Sequence, residues 1–176
     1  MTRRPLGQPK AAYAGDTGEP DTAVRRALGR AAVAQDPTDY LRAVAALCET
    51  RLLLPIVATG DGGPDRDPDR RAEMAAVLLT SAGGATGVLA FTGLDSISAW
   101  DPGARPVPCT LDELAATAVE TGSATVVVDI AGPSPLVIGR DLVAELAQER
   151  RLVELADGGW GWMFRAEDSS ELGTIG

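Results

Sequence analysis

The chain has 176 residues, 45% of them hydrophobic, with a net charge of −9 and a mean hydropathy of +0.03. That suits one domain with terminal extensions. Histidine is absent, Lys10 is the sole lysine and the cysteines number two, which removes histidine-based triads, imidazole zinc sites, the phosphate-loop lysine and a disulfide scaffold.

Residues 1–20 carry Pro5, Pro9 and Pro20 without apolar periodicity and read as a flexible arm. The arm holds Arg3, Arg4 and Lys10 and few acids, so the rest of the chain is more acidic still. Such a field repels phosphate backbones and acidic membrane surfaces, so neither nucleic acid nor membrane is expected as a partner. No apolar segment follows the early arginines, as a secretory signal requires, so a cytoplasmic setting with reduced cysteines is expected. Residues 21–155 read as the domain and 156–176 as an aromatic, partly disordered tail.

A helix is expected over 22–34, with Val24 and Leu28 on one face. The next starts at Asp36 as N-cap, with Pro37 in the first turn. Tyr40, Leu41, Val44, Leu47 and Cys48 share its apolar face, so Cys48 reads as a small buried group. Leu52–Ala58 is a strand, placed at an edge or bulge by Pro55. Residues 59–71 form a polar loop. Ala75–Thr80 and Gly87–Phe91 are strands of a hairpin around a glycine turn.

Thr92 with Asp95 has the spacing of a capping box opening a short helix, with Leu94, Ile97 and Trp100 on its inner side. Arg105–Cys109 is extended. Thr110 and Glu113 form a second capping box, opening a helix whose stripe is Leu111, Leu114, Ala115, Ala118 and Val119. Gly122 ends it. The β-branched run Ala124–Ile130 is a central strand. Leu136–Ile138 is a short strand, and Arg140–Gln148 is the last core helix. Trp160, Trp162 and Phe164 alternate with Gly161 and Met163, the period of a strand with three aromatics on one face. The order of elements predicts an α+β fold, a mixed sheet with helices packed on it, with α/β as the alternative.

The stretch Phe91–Pro108 (FTGLDSISAWDPGARPVP) resembles the signature of the SseB-type N-terminal domain. LLLPIVA, VVVDIAGPSPLVIGRDLVAELA and the early YAGDTGEPD are similar to further family segments, the last to one found in actinobacterial members. The resemblance spans roughly residues 12–150. It implies the fold but no reaction.

Other spacings fail as motifs. Asp65, Asp67 and Asp69 lack the glycine and glutamate of a calcium loop. Gly60, Gly62 and Gly63 open no helix. Ser123 and Ser134 have no histidine base. No metal or cofactor site is expected. Arg105, after a tight turn, is suited to hold a carboxylate of the protein or of a ligand. Asp129 interrupts an apolar strand and is expected to face outward. Facing inward, it would need Arg105 or Arg140 as partner. Cys109, before a helix N-cap, is the sole candidate nucleophile. Trp160, Trp162 and Phe164 either dock on the sheet as an extra strand or form an exposed partner site. The expected function is a non-enzymatic module binding a protein partner or small ligand, with possible homo-oligomers. The alternatives are an enzyme using Cys109 or Asp129 and a translation-associated accessory protein.

Overall fold

The computed structural model describes residues 13–34, 36–58, 74–123 and 125–164. The fold is α+β. Helices α1 (Thr22–Ala34) and α2 (Pro37–Cys48) come first, and strand β1 (Leu52–Ala58) follows. Strands β2 (Met74–Ala76), β3 (Leu78–Thr80) and β4 (Thr86–Ala90) lead into α3 (Leu94–Trp100) and β5 (Arg105–Cys109). Helix α4 (Leu111–Glu120), β6 (Thr125–Val128), β7 (Leu136–Ile138) and α5 (Arg140–Leu146) complete the core. A hairpin, β8 (Arg150–Glu154) and β9 (Trp160–Phe164), ends the described chain.

Three strands lie in the order β2-β1-β5 and four in the order β3-β4-β6-β7. The neighbours β4 and β6 run parallel, whereas the other pairs are antiparallel. The two sheets meet at one antiparallel bridge, where Leu53 and Phe91 exchange backbone bonds of 2.8 and 2.9 Å. The run expected as one strand, Ala75–Thr80, is two strands broken at Val77. Its first part pairs with β1 and its second with β4.

Pro55 is not at an edge, because β1 lies between β2 and β5. The register explains how a proline fits there. The Leu53 amide points away from β5, toward Phe91. Antiparallel pairing alternates, so residue 55 points the same way and would give β5 no N–H. Pro55 faces Pro106 across the pair, and Leu53 faces Pro108. All three prolines therefore occupy positions that the β1–β5 ladder does not use.

Both faces of the central strands are covered. Val88, Ala90, Val126 and Val128 belong to the main core with residues of α1, α2, α4 and α5. Leu89, Phe91 and Val127 belong to a smaller core with Leu53 and Ile97, against which Trp100 packs. The unbroken apolar runs of β4 and β6 are what burial on both faces requires.

The Thr110–Glu113 capping box is present, and Asp36 caps α2 by accepting from Thr38 N at 2.7 Å. The α4 stripe is Leu111, Leu114, Ala115, Ala116 and Ala118, whereas Val119 is exposed. Leu94, expected inward, is also exposed. Strand β8 is unforeseen, its alternation masked by Arg150, Arg151 and Glu154. The aromatic strand β9 forms as expected but does not extend the main sheet. It pairs with β8 in a separate two-stranded unit.

Candidate functional site

The carboxyl ends of the parallel pair β4 and β6 hold a cluster of buried polar side chains. Beyond Val128 the chain continues to Asp129, whose amide still donates to Ala90 O at 2.9 Å. Asp129 then leaves the strand with a left-handed φ of 52°, a region a short polar side chain tolerates. Its side chain is fully buried. It does not face outward, and its partner is neither Arg105 nor Arg140. Oδ1 accepts from the Thr92 amide at 2.9 Å and Oδ2 from the Thr92 hydroxyl at 2.6 Å. Arg25 Nε of α1 lies 3.3 Å from Oδ2.

Thr92 is therefore not the cap of α3; Gly93 holds that position. The Thr92 hydroxyl accepts from Arg25 Nε at 2.5 Å while donating to Asp129. Its carbonyl accepts from Arg51 Nη1 at 3.0 Å. Asp95, expected as the capping partner, instead accepts from Nη1 and Nη2 of Arg25 at 3.1 and 2.8 Å. Nη2 also donates to the buried Ser96 hydroxyl at 2.7 Å. One guanidinium thus joins α1 to β4, α3 and the end of β6. Its planar fork suits several oxygens at once, which an ammonium would not. Burial works against the Asp95 charge, but the bonds from Arg25 prevail and hold its carboxyl below the ordinary range.

A second arginine ties down residues 13–20, the inner part of the expected arm. Arg51 Nε lies 2.6 Å from Asp16 Oδ2, and Nη2 donates to Glu19 O at 2.8 Å. The Gly18 carbonyl accepts from the Leu94 amide at 2.9 Å. Close approach demands glycine at two places here. A Cβ at Gly132 would lie 2.9 Å from both Ser96 Oγ and Asp129 Cβ. One at Gly93 would lie 2.8 Å from the Pro20 ring, so the strap seats directly on the α3 cap.

The other expected residues lie apart from this cluster. Cys109 is buried on β5, with Sγ 3.7 Å from Leu52 O. Arg105 is exposed on the same strand and makes no ion pair among the described residues. Trp100 is half-buried and packs on Phe91 with ring centroids 5.6 Å apart. Trp160 and Trp162 pack against the main core, whereas Phe164 is exposed beneath the Arg150 guanidinium, 5.0 Å from its ring centroid. The calcium-like aspartates and the glycines at 60–63 lie outside the described residues. Among the described residues no three His, Cys, Asp or Glu side chains are grouped to hold a metal ion. No described helix is long and apolar enough to cross a membrane.

Arg25 and Arg51 escaped the sequence reading, and Thr92 was read there only as a helix cap. Arg25 flanks the buried Val24 and Leu28 on α1, which placed it at the border of the apolar face without fixing its partner. Three segments that carried the resemblance, around Asp16, Thr92 and Asp129, converge on this one corner.

The model of the SseB protein N-terminal domain matches residues 24–145. The chain belongs to the SseB family. No curated protein and no solved structure matches it. Within the SseB domain so delimited, Arg25 is the second residue matched, so the match opens at the polar cluster. The β8–β9 hairpin lies beyond its end.

Proposed function

We propose that this SseB domain is a non-enzymatic binding module that acts through a protein partner or a small ligand in the cytoplasm. One observation carries the reading: the two side chains on which an enzyme reading rests, Asp129 and Cys109, are engaged in holding the fold. Both oxygens of Asp129 accept from Thr92, and Arg25 neutralises them. A general base needs a free lone pair within reach of substrate. Cys109 is buried with its thiol directed to a backbone carbonyl, and a nucleophilic cysteine needs access and an electropositive setting. The resemblance around YAGDTGEPD supports a place in the actinobacterial branch.

The test combines thiol chemistry with turnover. A disulfide reagent should leave Cys109 unmodified in the native protein and react with it only after denaturation. Purified protein incubated with pooled metabolites should consume none, while affinity capture or a thermal-shift screen should yield a binder. Turnover that disappears in Cys109→Ala or Asp129→Asn, with the fold intact, overturns the proposal.

A further inference from the structure

Among the described residues strand β9 pairs along one edge only, with β8, and its other edge is open. The Leu155 amide donates to Gly159 O at 2.8 Å, which fixes the phase of the ladder. Val153–Gly161 and Arg151–Met163 are then the hydrogen-bonded pairs, and Leu152–Trp162 lies between them. The backbone groups of Trp160, Trp162 and Phe164 consequently point away from β8. None of them has a backbone partner among the described residues. The strand reads Trp-Gly-Trp-Met-Phe, without a charge or proline. Soluble proteins guard such edges with lysine, proline or bulges. Met163 and Phe164 are 56% and 69% exposed.

We infer that the open edge of β9 pairs antiparallel with β9 of a second copy, joining the two hairpins into one four-stranded sheet. The strand complements itself about Trp162. A two-fold axis there sets Trp162 opposite Trp162 of the second copy and Phe164 opposite Trp160. Every outward N–H and C=O of these residues then meets a partner. Aromatic pairs across strands are among the favourable ones. They would cover Phe164, the most exposed ring of the strand.

The charges beside this register are already paired within one copy, Arg150 with Glu145 and Glu154 with Arg42, so they do not oppose it. Arg150 neighbours Phe164 on β8, and Glu154 neighbours Trp160. Each outer row of the joined sheet would run Arg150, Phe164, Trp160 and Glu154, the last two from the second copy. Opposite signs end the row. The middle row, Leu152 and Trp162 from each copy, has no charge. A net charge of −9 opposes association in general, but none of it lies on β9. Such a two-fold contact closes on itself and stops at the dimer.

Sedimentation equilibrium of the full chain over a wide concentration range tests this. A monomer–dimer equilibrium is expected. Phe164→Pro removes an outward N–H and leaves the β8 ladder intact. It should weaken the dimer by about tenfold or more, equivalent to about 1.4 kcal/mol. Phe164→Lys, a gatekeeper charge, should do the same, while Phe164→Tyr should retain the dimer. Melting curves show whether each variant is folded, and the lysine variant decides if the proline variant is not. A wild-type chain that stays monomeric throughout, or a dimer unchanged by Phe164→Lys, overturns the inference.

Discussion

The corner between α1, β4 and β6 and the hairpin β8–β9 treat their polar groups in opposite ways. At the corner the polar side chains turn toward one another, and all but Asp95 are largely buried. Arg25, Thr92, Ser96 and Asp129 satisfy one another, and two glycines admit the close approach. In the hairpin Leu152, Trp160 and Trp162 turn inward, Arg150 is partly buried with its Nε unpartnered among the described residues, and two further ion pairs are more exposed. Arg42 donates to Glu154 at 2.6 Å, and Arg151 lies 3.2 Å from Glu49. The corner is thus bound by buried charge, which is costly to disrupt. The hairpin is attached by aromatic area, and among the described residues one of its edges has no partner strand.

The largest effect is expected from the corner. Asp129→Ala leaves the Thr92 amide and hydroxyl without their buried acceptor and takes from Arg25 its buried carboxylate, with the exposed Asp95 still paired to it. Breaking a buried ion pair by removing one member costs about 3–5 kcal/mol. Asp129→Asn, which keeps an acceptor for the Thr92 amide, should cost about 1–3 kcal/mol. Urea denaturation measures both. Equal losses would mean that a neutral acceptor contributes nothing and that the charge carries the whole effect.

The hairpin comes next. Trp162 is half-buried, so Trp162→Ala should cost about 2 kcal/mol, below the 3–5 of a fully buried aromatic. Truncation after Leu155 should lower the melting temperature further, because Trp160 is lost as well. A truncated chain that melts like the full one would make the hairpin an appendage rather than part of the core.

Most element positions were legible because they rest on local signals. The capping residues Asp36 and Thr110, the run Leu52–Ala58 and the aromatic alternation at 160–164 each state a local preference. The corner was not legible, since its meaning lies in pairings between residues distant in sequence. Arg25 bonds Thr92, and Arg51 bonds Asp16. Thr92 with Asp95 satisfies the capping-box spacing, and local chemistry alone would assign them to it. Tertiary partners took both side chains. Pro55 misled for a related reason: the edge rule assumes a ladder that needs the amide, and the phase of β1 relative to β5 removes that need.

A smaller effect separates the two regions by pH. Cys48 lies where α2 meets β8, and burial pushes its thiol up to about 11. An unfolded thiol titrates near 8.5. The folded pKa is the higher one, so this contribution is complete below about 8.5 and is lost as pH rises toward about 11. That difference corresponds to roughly 3 kcal/mol. Cys48→Ala should flatten the alkaline limb of the stability profile, while variants of the corner should leave that limb unchanged. Asp95, held below the ordinary range, acts at the other end. Its contribution is present above the unfolded carboxylate pKa and fades as pH falls through the lowered folded value. Asp95→Asn should therefore reduce the acid sensitivity of the corner.

The smallest expected effect is a gain, and it poses the comparison most directly. Each region contains one non-glycine residue with left-handed backbone, Asp129 at φ 52° and Glu149 at φ 61°. Glu149 follows α5 and leads into β8, and its amide donates to Leu146 O at 3.0 Å. Glycine is the usual residue at that place because it has no Cβ to crowd the carbonyl. The Glu149 side chain is exposed and makes no ion pair among the described residues. Glu149→Gly removes the strain and loses no contact, against some added freedom in the unfolded chain. A net stabilisation of about 0.5 kcal/mol is expected, read as a small rise in melting temperature. Asp129→Gly relieves the same kind of strain but deletes a carboxylate that Thr92 and Arg25 require. It should destabilise by several kcal/mol. Opposite signs for one substitution at two equally strained positions would show that the strain is maintained at the corner by bonding and only tolerated beside the hairpin. A loss at both would mean that the Glu149 side chain contributes a contact of its own.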